Sequence, residues 1–139
     1  MTMHSQLTYN KNIMACVKTI LGETDMLMNR MFVHTKIFDK KWRDIGYGDD
    51  TLLEVQKTIC ENPQGYPIIQ GTGGIRKIRV SADGKGKSGG GRVLYVDFPD
   101  KGIVGLIYAY PKSQQEDIDD EERKILKGIV EQIRENWRG

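Results

Sequence analysis

The chain has 139 residues, of which 38% are hydrophobic and 29% charged, and a formal net charge of +2. This size and composition fit one compact domain and exclude a disordered or fibrous chain. No apolar run approaches the roughly 18 residues of a membrane span, and the two cysteines have neither metal-site spacing nor the density of a disulfide scaffold. We therefore expect an unexported protein of the reducing cytoplasm, with no membrane partner.

The N-terminal 30 residues differ in composition from the rest of the chain. All six methionines lie at or before residue 31. We interpret residues 1–30 as an N-terminal appendage of uncertain status and residues 31–139 as the folded domain. The alternative is a genuine N-terminal helix over residues 10–21, where apolar side chains recur at helical spacing. The sequence favours neither interpretation.

The first half of the domain predicts one strand and two helices. MFVHTKIF (31–38) alternates apolar and polar residues and predicts the first strand. One or two helical turns follow at 39–45 and end at two glycines. A longer helix is predicted from Thr51, whose spacing from Glu54 is that of a capping box, and Pro63 ends it.

The second half predicts three strands and a final helix. IRKIRVS (75–81), RVLYVDF (92–98) and GIVGLIYAY (102–110) have the β-branched and aromatic content of strands. PDKG between the last two strands fits a tight hairpin turn. A helix capped by Asp119 closes the chain over about 119–137. The order β-α-α-β-β-β-α predicts an α+β domain with a mainly antiparallel sheet and helices packed on one face.

The stretch GKGKSGGGR (84–92) matches a phosphate-binding loop only in part. Gly86, Lys87 and Ser88 supply the end of a Walker A motif, whereas Ser81 occupies the position of its first glycine. A strand-like sequence follows, instead of the helix whose N-terminus would face the phosphates. A nucleotide-binding loop is therefore excluded, and this basic segment needs another explanation.

Charge is segregated along the chain. Residues 71–92 carry six basic side chains and one acid, whereas residues 114–122 carry six acids and no base. Because side chains alternate between the faces of a strand, Lys77 and Arg79 share one face of IRKIRV. This polarity favours an anionic partner. We predict that four basic residues converge on one concave surface of the sheet: Lys77, Arg79, Arg92 and Lys112.

Three segments carry a family resemblance: IIQGTGGIRKIRV, GKGKSGGGRVLYV and IYAYPKSQQEDIDDEE. Together they closely resemble the RelE/HigB superfamily of bacterial toxins, in its HigB-like branch, over about residues 31–137. The resemblance implies a RelE-like fold and a partner antitoxin, often with a helix-turn-helix DNA-binding part. It also implies that the protein inhibits translation by cutting messenger RNA on the ribosome, with no metal or cofactor.

The resemblance further implies which residues form the site. The four basic residues named above match, or lie near, catalytic positions of the family. Without a metal, the 2′-OH of RNA attacks the adjacent phosphate, so the protein must hold the backbone, move protons and stabilise negative charge. Crowded cations favour Lys77 as a general base, while arginines clamp phosphate. We assign RNA binding to five further residues: Arg76, Lys85, Lys87, Tyr95 and Tyr110. The two tyrosines are candidates for base stacking or proton transfer, and the alternative is that they belong to the core, as aromatic residues in strands more often do.

Two features depart from the family pattern and leave alternatives open. Lys112 is followed by Ser113 where RelE carries an arginine, and no tyrosine occupies the position of the late catalytic one. The domain's histidine, His34, lies in the first strand and is expected to be structural. The alternatives are a non-catalytic relative of the same fold that inhibits gyrase, and a degenerate toxin that only binds its antitoxin.

Overall fold

The computed structural model describes residues 9–12, 18–20, 23–25, 30–81 and 90–137. The elements are, in chain order, β1 (Tyr9–Asn12), β2 (Lys18–Ile20), β3 (Glu23–Asp25), β4 (Met31–Thr35), α1 (Lys36–Ile45), α2 (Asp49–Glu61), β5 (Arg76–Val80), β6 (Gly91–Phe98), β7 (Ile103–Pro111) and α3 (Asp120–Asn136). From β4 onward this is the predicted order of an α+β domain.

Five strands form one sheet in the order β1-β4-β7-β6-β5. β4 and β7 run parallel, and the other three neighbouring pairs are antiparallel, which confirms a mainly antiparallel sheet. β2 and β3 pair in a separate two-stranded sheet. Because residues 9–12 form a strand paired with β4, the alternative of a helix over residues 10–21 is wrong. The status of residues 1–30 as an appendage stays a prediction.

The helices cover both faces of the sheet, which corrects the prediction that they pack on one face. α1 and α2 bury Phe38, Trp42 and Ile59 against one side, called here the α1/α2 face. α3 buries Leu126 and Val130 against the other side, the α3 face. The reason is that β6 and β7 are buried along nearly their whole length on both sides. A strand covered on both faces has apolar residues at consecutive positions.

Thr35 marks the boundary between β4 and α1. Its hydroxyl accepts the backbone N–H of Phe38 at 3.0 Å and donates to the carbonyl of Ile107 at 2.9 Å. Threonine is a preferred N-cap residue because its oxygen satisfies one of the unpaired N–H groups of the first turn. The helix therefore begins at Lys36, three residues earlier than predicted, and the first strand is correspondingly shorter.

The other two helices begin differently. At α3 the predicted capping box is present: Asp119 accepts the N–H of Glu122 at 2.8 Å, and Glu122 accepts the N–H of Asp119 at 2.9 Å. At α2 the capping box predicted for Thr51 and Glu54 is absent. The N-cap residue there is Gly48, three positions earlier, and it has no side chain that caps the helix.

The turn predicted at PDKG joins β6 to β7. The N–H of Lys101 donates to the carbonyl of Phe98 at 3.0 Å, and the N–H of Gly102 donates to that of Pro99 at 3.3 Å. Gly102 has a φ of 70°, a left-handed value that favours glycine. The hairpin prediction is confirmed.

Two features concern the expected environment of the protein. Cys60, near the end of α2, is disulfide-bonded, which departs from the reduced thiols expected in the cytoplasm. Within the described residues, none of the helices combines the length and the hydropathy needed to cross a bilayer. A cytoplasmic location stays a prediction.

Arg30 and Asp97 form a bidentate ion pair between the start of β4 and the end of β6. Nε of Arg30 donates to Oδ1 of Asp97 at 2.7 Å and Nη2 donates to Oδ2 at 3.2 Å. Gln64 donates to the same carboxylate at 3.1 Å. The two charged side chains are only 9% and 2% exposed, so the loss of one leaves the other's charge buried.

We expect Asp97→Asn to lower the free energy of unfolding by about 3 kcal/mol, because Arg30 loses a buried countercharge. Urea unfolding should show a lower midpoint at an unchanged slope. The matched control is Asp100→Asn, whose carboxylate contacts Lys101 at 3.8 Å and is exposed. That variant should lose less than about 1 kcal/mol. Equal losses in the two variants would contradict the role assigned to the buried pair.

Candidate functional site

Three of the predicted basic residues share the α3 face. β5 pairs antiparallel with β6, so that Arg79 lies opposite Arg92 and Lys77 lies opposite Leu94. Leu94 belongs to the core beneath α3, which identifies the face. Lys77 and Arg79 lie on that face together because positions two apart on a strand point the same way. The structure therefore places these three residues on one face, while their convergence with Lys112 on a concave surface and their catalytic role stay predictions.

A bulge in β7 brings two tyrosines to the same face. The pairing of β6 with β7 shifts by one residue, and Ile107 is the extra residue of β7. Such a bulge reverses the alternation of side chains beyond it. As a result, Tyr108 and Tyr110 contribute to the core beneath α3, and Tyr110 lies opposite Arg92. Two rows of side chains cross the sheet here: Arg79, Arg92 and Tyr110 in one, and Lys77, Leu94 and Tyr108 in the next.

Arg79 and Arg92 are like charges at directly opposed positions. Opposed residues of antiparallel strands have Cβ atoms roughly 5 Å apart, a spacing at which like charges are destabilising. Arg92 is 7% exposed and donates to the carbonyl of Gly91 at 3.1 Å. Within the described residues, neither arginine has an acidic partner at ion-pair distance. The two guanidinium groups therefore form a positive site that an external anion can neutralise.

Lys77 differs from the two arginines because it has an acidic neighbour. Oδ1 of Asp117 lies 3.6 Å from Nζ of Lys77, and the two side chains are 49% and 28% exposed. Asp117 belongs to the acidic run 114–122, which leads into α3. The basic strand and the acidic segment, which are separate in the sequence, are thus in direct contact in the fold.

The hydroxyl groups of Tyr108 and Tyr110 bond to the same acidic segment. Tyr108 donates to the carboxylate of Glu122 at 3.2 Å, and Tyr110 donates to the carbonyl of Glu116 at 3.5 Å. Burial, reinforced by nearby carboxylates, raises the pKa of each phenol to about 12. Both are therefore protonated at neutral pH and act as hydrogen-bond donors, not as bases.

Two predicted RNA-binding residues lie on the opposite, α1/α2 face. Arg76 donates to the carbonyl of Tyr66 at 2.7 Å and pairs with Tyr95 across the strands. Tyr95 is fully buried in the core beneath α1 and α2, and its hydroxyl donates to the carbonyl of Pro63 at 2.8 Å. The alternation that directs Lys77 to one face directs its neighbour to the other. We therefore remove Arg76 and Tyr95 from the RNA-binding set.

The remaining predicted residues occupy different environments. Tyr110 lies on the α3 face but is 1% exposed, so its ring offers no free surface for stacking against a base. Lys112 is exposed and follows β7 directly, and its N–H donates to the carbonyl of Gly90 at 3.0 Å, at the end of the sheet where β6 begins. Lys85 and Lys87 lie outside the described residues.

A groove beside β5 borders the site. It is lined on α2 by Leu53 and Glu54 and on β5 by Ile78 and Arg79. Arg79 is exposed and lies on an edge strand of the sheet. It is therefore accessible from solvent, whereas Arg92, one strand further in, is nearly buried.

His34 has the structural position that the sequence analysis expected. Its Nδ1 lies 3.0 Å from Oδ1 of Asp39, and its Nε2 lies 3.4 Å from Nε2 of Gln56. The ring also meets Phe38 edge-on. Within the part of the chain that the structure describes, no group of three or more His, Cys, Asp or Glu side chains is suited to a metal.

Sequence reasoning did not single out two residues of this face, Asp117 and Tyr108. The acidic run was interpreted as one side of the charge segregation and as the capped start of the last helix, and no spacing rule connects position 117 with a strand forty residues earlier. Tyr108 faces α3 because of the bulge at Ile107, which the sequence does not mark with a glycine. The segregated charge was the one signal that could have led to Asp117.

The raised pKa of Tyr110 predicts a loss of stability at alkaline pH. An unfolded tyrosine ionises near pH 10, whereas folded Tyr110 has a pKa of about 12. The contribution of protonated Tyr110 to the free energy of unfolding is fully present below about pH 10 and is lost as pH rises to about 12. The reason is that the phenol loses its proton at a lower pH in the unfolded chain than in the folded one. We expect the urea midpoint to fall over this interval less steeply in Tyr110→Phe than in the wild type. Parallel pH profiles would contradict the assigned burial.

Comparison with known proteins identifies the family. A family model described as the RelE toxin of the RelE/RelB toxin-antitoxin system matches residues 29–136. A solved structure of the free E. coli toxin RelE, in a mutant with two arginines replaced by alanine, is similar at 19% sequence identity. That similarity covers 61% of this chain and 85% of the other, with a TM-score of 0.45. The family match extends from two residues before β4 to the last residue of α3, more than three quarters of the chain. The chain therefore belongs to the RelE toxin family and has its α+β fold.

Proposed function

We propose that this protein is the toxin of a bacterial toxin-antitoxin module and inhibits translation as a ribosome-dependent endoribonuclease that cuts messenger RNA. Membership of the RelE family supports a toxin in general. The HigB-like branch is part of the proposal, and its support is the pair of motifs GTGGIRKIR and GKGKSGGGR. The observation that carries the RNA-directed activity is the opposed pair Arg79 and Arg92, which has no acidic partner within the described residues.

The chemistry that fits these residues is attack of a 2′-oxygen of RNA on the adjacent phosphorus. The 2′-hydroxyl loses its proton, the bond to the next 5′-oxygen breaks, and that oxygen takes up a proton. Negative charge accumulates on the phosphate in between. Arg79 and Arg92 are suited to bind those oxygens, because guanidinium groups stay charged and donate in a fixed planar geometry.

Lys77 and Lys112 complete the proposed set. Lys77 lies one row from the arginine pair on the same face and is the candidate for proton transfer as well as for charge neutralisation. Lys112 is exposed at the end of the sheet where β6 begins and is suited to bind a neighbouring phosphate. Tyr110, opposite Arg92 and protonated at neutral pH, is assigned to the support of that guanidinium and not to stacking.

The proposed partners are a cognate antitoxin, the ribosome and messenger RNA. The antitoxin follows from the family, whose members belong to toxin-antitoxin systems. A helix-turn-helix DNA-binding part in that antitoxin is an expectation of the resemblance. The acidic run 114–122 beside the basic face gives the domain a polarity that would orient the arginine pair toward RNA.

We expect Lys77→Ala, Arg79→Ala and Arg92→Ala each to lower the single-turnover cleavage rate by about 100-fold or more, since each removes a charge that stabilises the transition state. The measurement is cleavage of a defined message in a reconstituted translation mix, with and without ribosomes. Arg79 is exposed, so its variant tests the role without disturbing the core. Lys40→Ala, an exposed charge on α1, is the matched control and should stay within about twofold.

This cleavage assay, together with a gyrase supercoiling assay and a measurement of antitoxin binding, separates the alternatives. Cleavage by the Arg79 and Arg92 variants at the wild-type rate would refute the assignment of the site. An intact message together with inhibited supercoiling by gyrase would favour the non-catalytic relative. Binding of the antitoxin with neither effect would identify a degenerate toxin.

A further inference from the structure

We infer that Asp117 is a positioning residue for Lys77: its carboxylate holds the ammonium group over the α3 face, beside the arginine pair. This inference rests on the proposed function, because it assigns Lys77 a role in RNA cleavage. It concerns a residue that the basic-residue pattern of the sequence does not include. Its starting observation is the 3.6 Å contact between Oδ1 of Asp117 and Nζ of Lys77.

Among the acidic side chains of the run 114–122, that of Asp117 is the one that contacts the basic strand β5. The carboxylate of Glu122 accepts from the N–H of Asp119, from the side chain of Gln115 and from the hydroxyl of Tyr108. Asp119 caps α3, and Asp120 binds Arg123 within the helix. The other acids with side-chain contacts among the described residues therefore serve the helix start, whereas Asp117 connects that start to β5.

The backbone around Asp117 is anchored, so its carboxylate is a fixed point. The side chain of Gln115 donates to the carbonyl of Asp117 at 2.8 Å, and the N–H of Ile118 donates to Oδ1 at 3.0 Å. Ile118 is 4% exposed and belongs to the core beneath α3. A lysine side chain has four rotatable bonds and loses entropy on ordering, so a fixed carboxylate can restrict it before RNA binds. Lys77 is thereby preorganised.

The exposure of the ion pair between Asp117 and Lys77 indicates that it affects the cleavage rate more than the folding stability. Both side chains are more than a quarter exposed, and ion pairs of this kind contribute little to folding stability. A misplaced catalytic group, in contrast, lowers a rate steeply. Asp117 also places a negative charge close to the proposed phosphate site, where it disfavours binding of RNA. Loss of the carboxylate should therefore slow cleavage without weakening RNA binding.

The experiment is a double-mutant cycle in single-turnover cleavage on programmed ribosomes, with wild type, Asp117→Asn, Lys77→Ala and the double variant. We expect Asp117→Asn to lower the maximal rate about tenfold and to leave the half-saturating ribosome concentration equal or lower. The double variant should cleave no more slowly than Lys77→Ala alone. Asp117→Glu, which keeps the carboxylate, should recover part of the rate. Asp120→Asn, in the same acidic run, is the control and should stay within about twofold.

Several results would overturn the inference. If the Asp117→Asn variant cleaves at or above the wild-type rate, the main effect of the carboxylate is to oppose RNA binding. If the double variant cleaves tenfold more slowly than Lys77→Ala alone, Asp117 acts independently of that lysine. If the Asp117→Asn variant does not fold, Asp117→Glu replaces it in the cycle. Its cleavage rate is then compared with that of the wild type, once with Lys77 present and once in the Lys77→Ala variant, by the same criteria.

Failure of the proposed function gives a different result. In that case the wild type leaves the message intact, and the contact is tested by NMR on the free protein. We expect the ammonium hydrogens of Lys77 to exchange with water more slowly in wild type than in Asp117→Asn. Equal exchange rates would overturn the positioning role independently of any cleavage.

Discussion

The proposed function of this domain depends on two arginines that face each other across adjacent strands. Arg79 and Arg92 are direct cross-strand partners on the α3 face, and Arg92 is nearly buried. Such a pair repels itself, and within the described residues no carboxylate neutralises it. Among the described residues, two acids of the run 114–122 are otherwise engaged, since Asp117 contacts Lys77 and Glu122 accepts from Tyr108. The sheet therefore holds a preorganised positive site, and under the proposed function the phosphate backbone of RNA supplies the charge that it lacks.

The face of the sheet that carries the proposed anion site differs from the face that is packed with apolar side chains. On the α1/α2 face, Phe38 stacks on Trp42 with ring centroids 5.6 Å apart, and Tyr95 and Ile59 are fully buried. On the α3 face, apolar packing beneath the helix gives way toward β5 to polar and charged side chains. The bulge at Ile107 aligns Tyr110 with Arg92, and the start of α3 brings Asp117 to Lys77. Each of these contacts depends on the same strand register.

Short-range rules gave some local features correctly and others wrongly, such as the capping box at Thr51, and tertiary contacts decided the rest. The sharing of a face by Lys77 and Arg79 and the capping box at Asp119 followed from short-range rules and are confirmed. The same alternation, applied to β5, already argued against Arg76. The unbroken apolar runs of β6 and β7 contained the information that helices cover both faces, which the prediction of a single covered face did not use. The contact between Lys77 and Asp117 joins positions forty residues apart and depends on packing that no local pattern encodes.

NMR of the arginine side chains shows whether Arg79 and Arg92 together form the anion site. A short RNA with a 2′-deoxy substitution at the cleavage position is titrated into the free protein, while the Nε resonances of the arginines are followed. We expect Arg79 and Arg92 to shift together with one saturation curve, while Arg30, paired with Asp97, does not respond. A titration in which Arg76 responds and the opposed pair stays unchanged would contradict it.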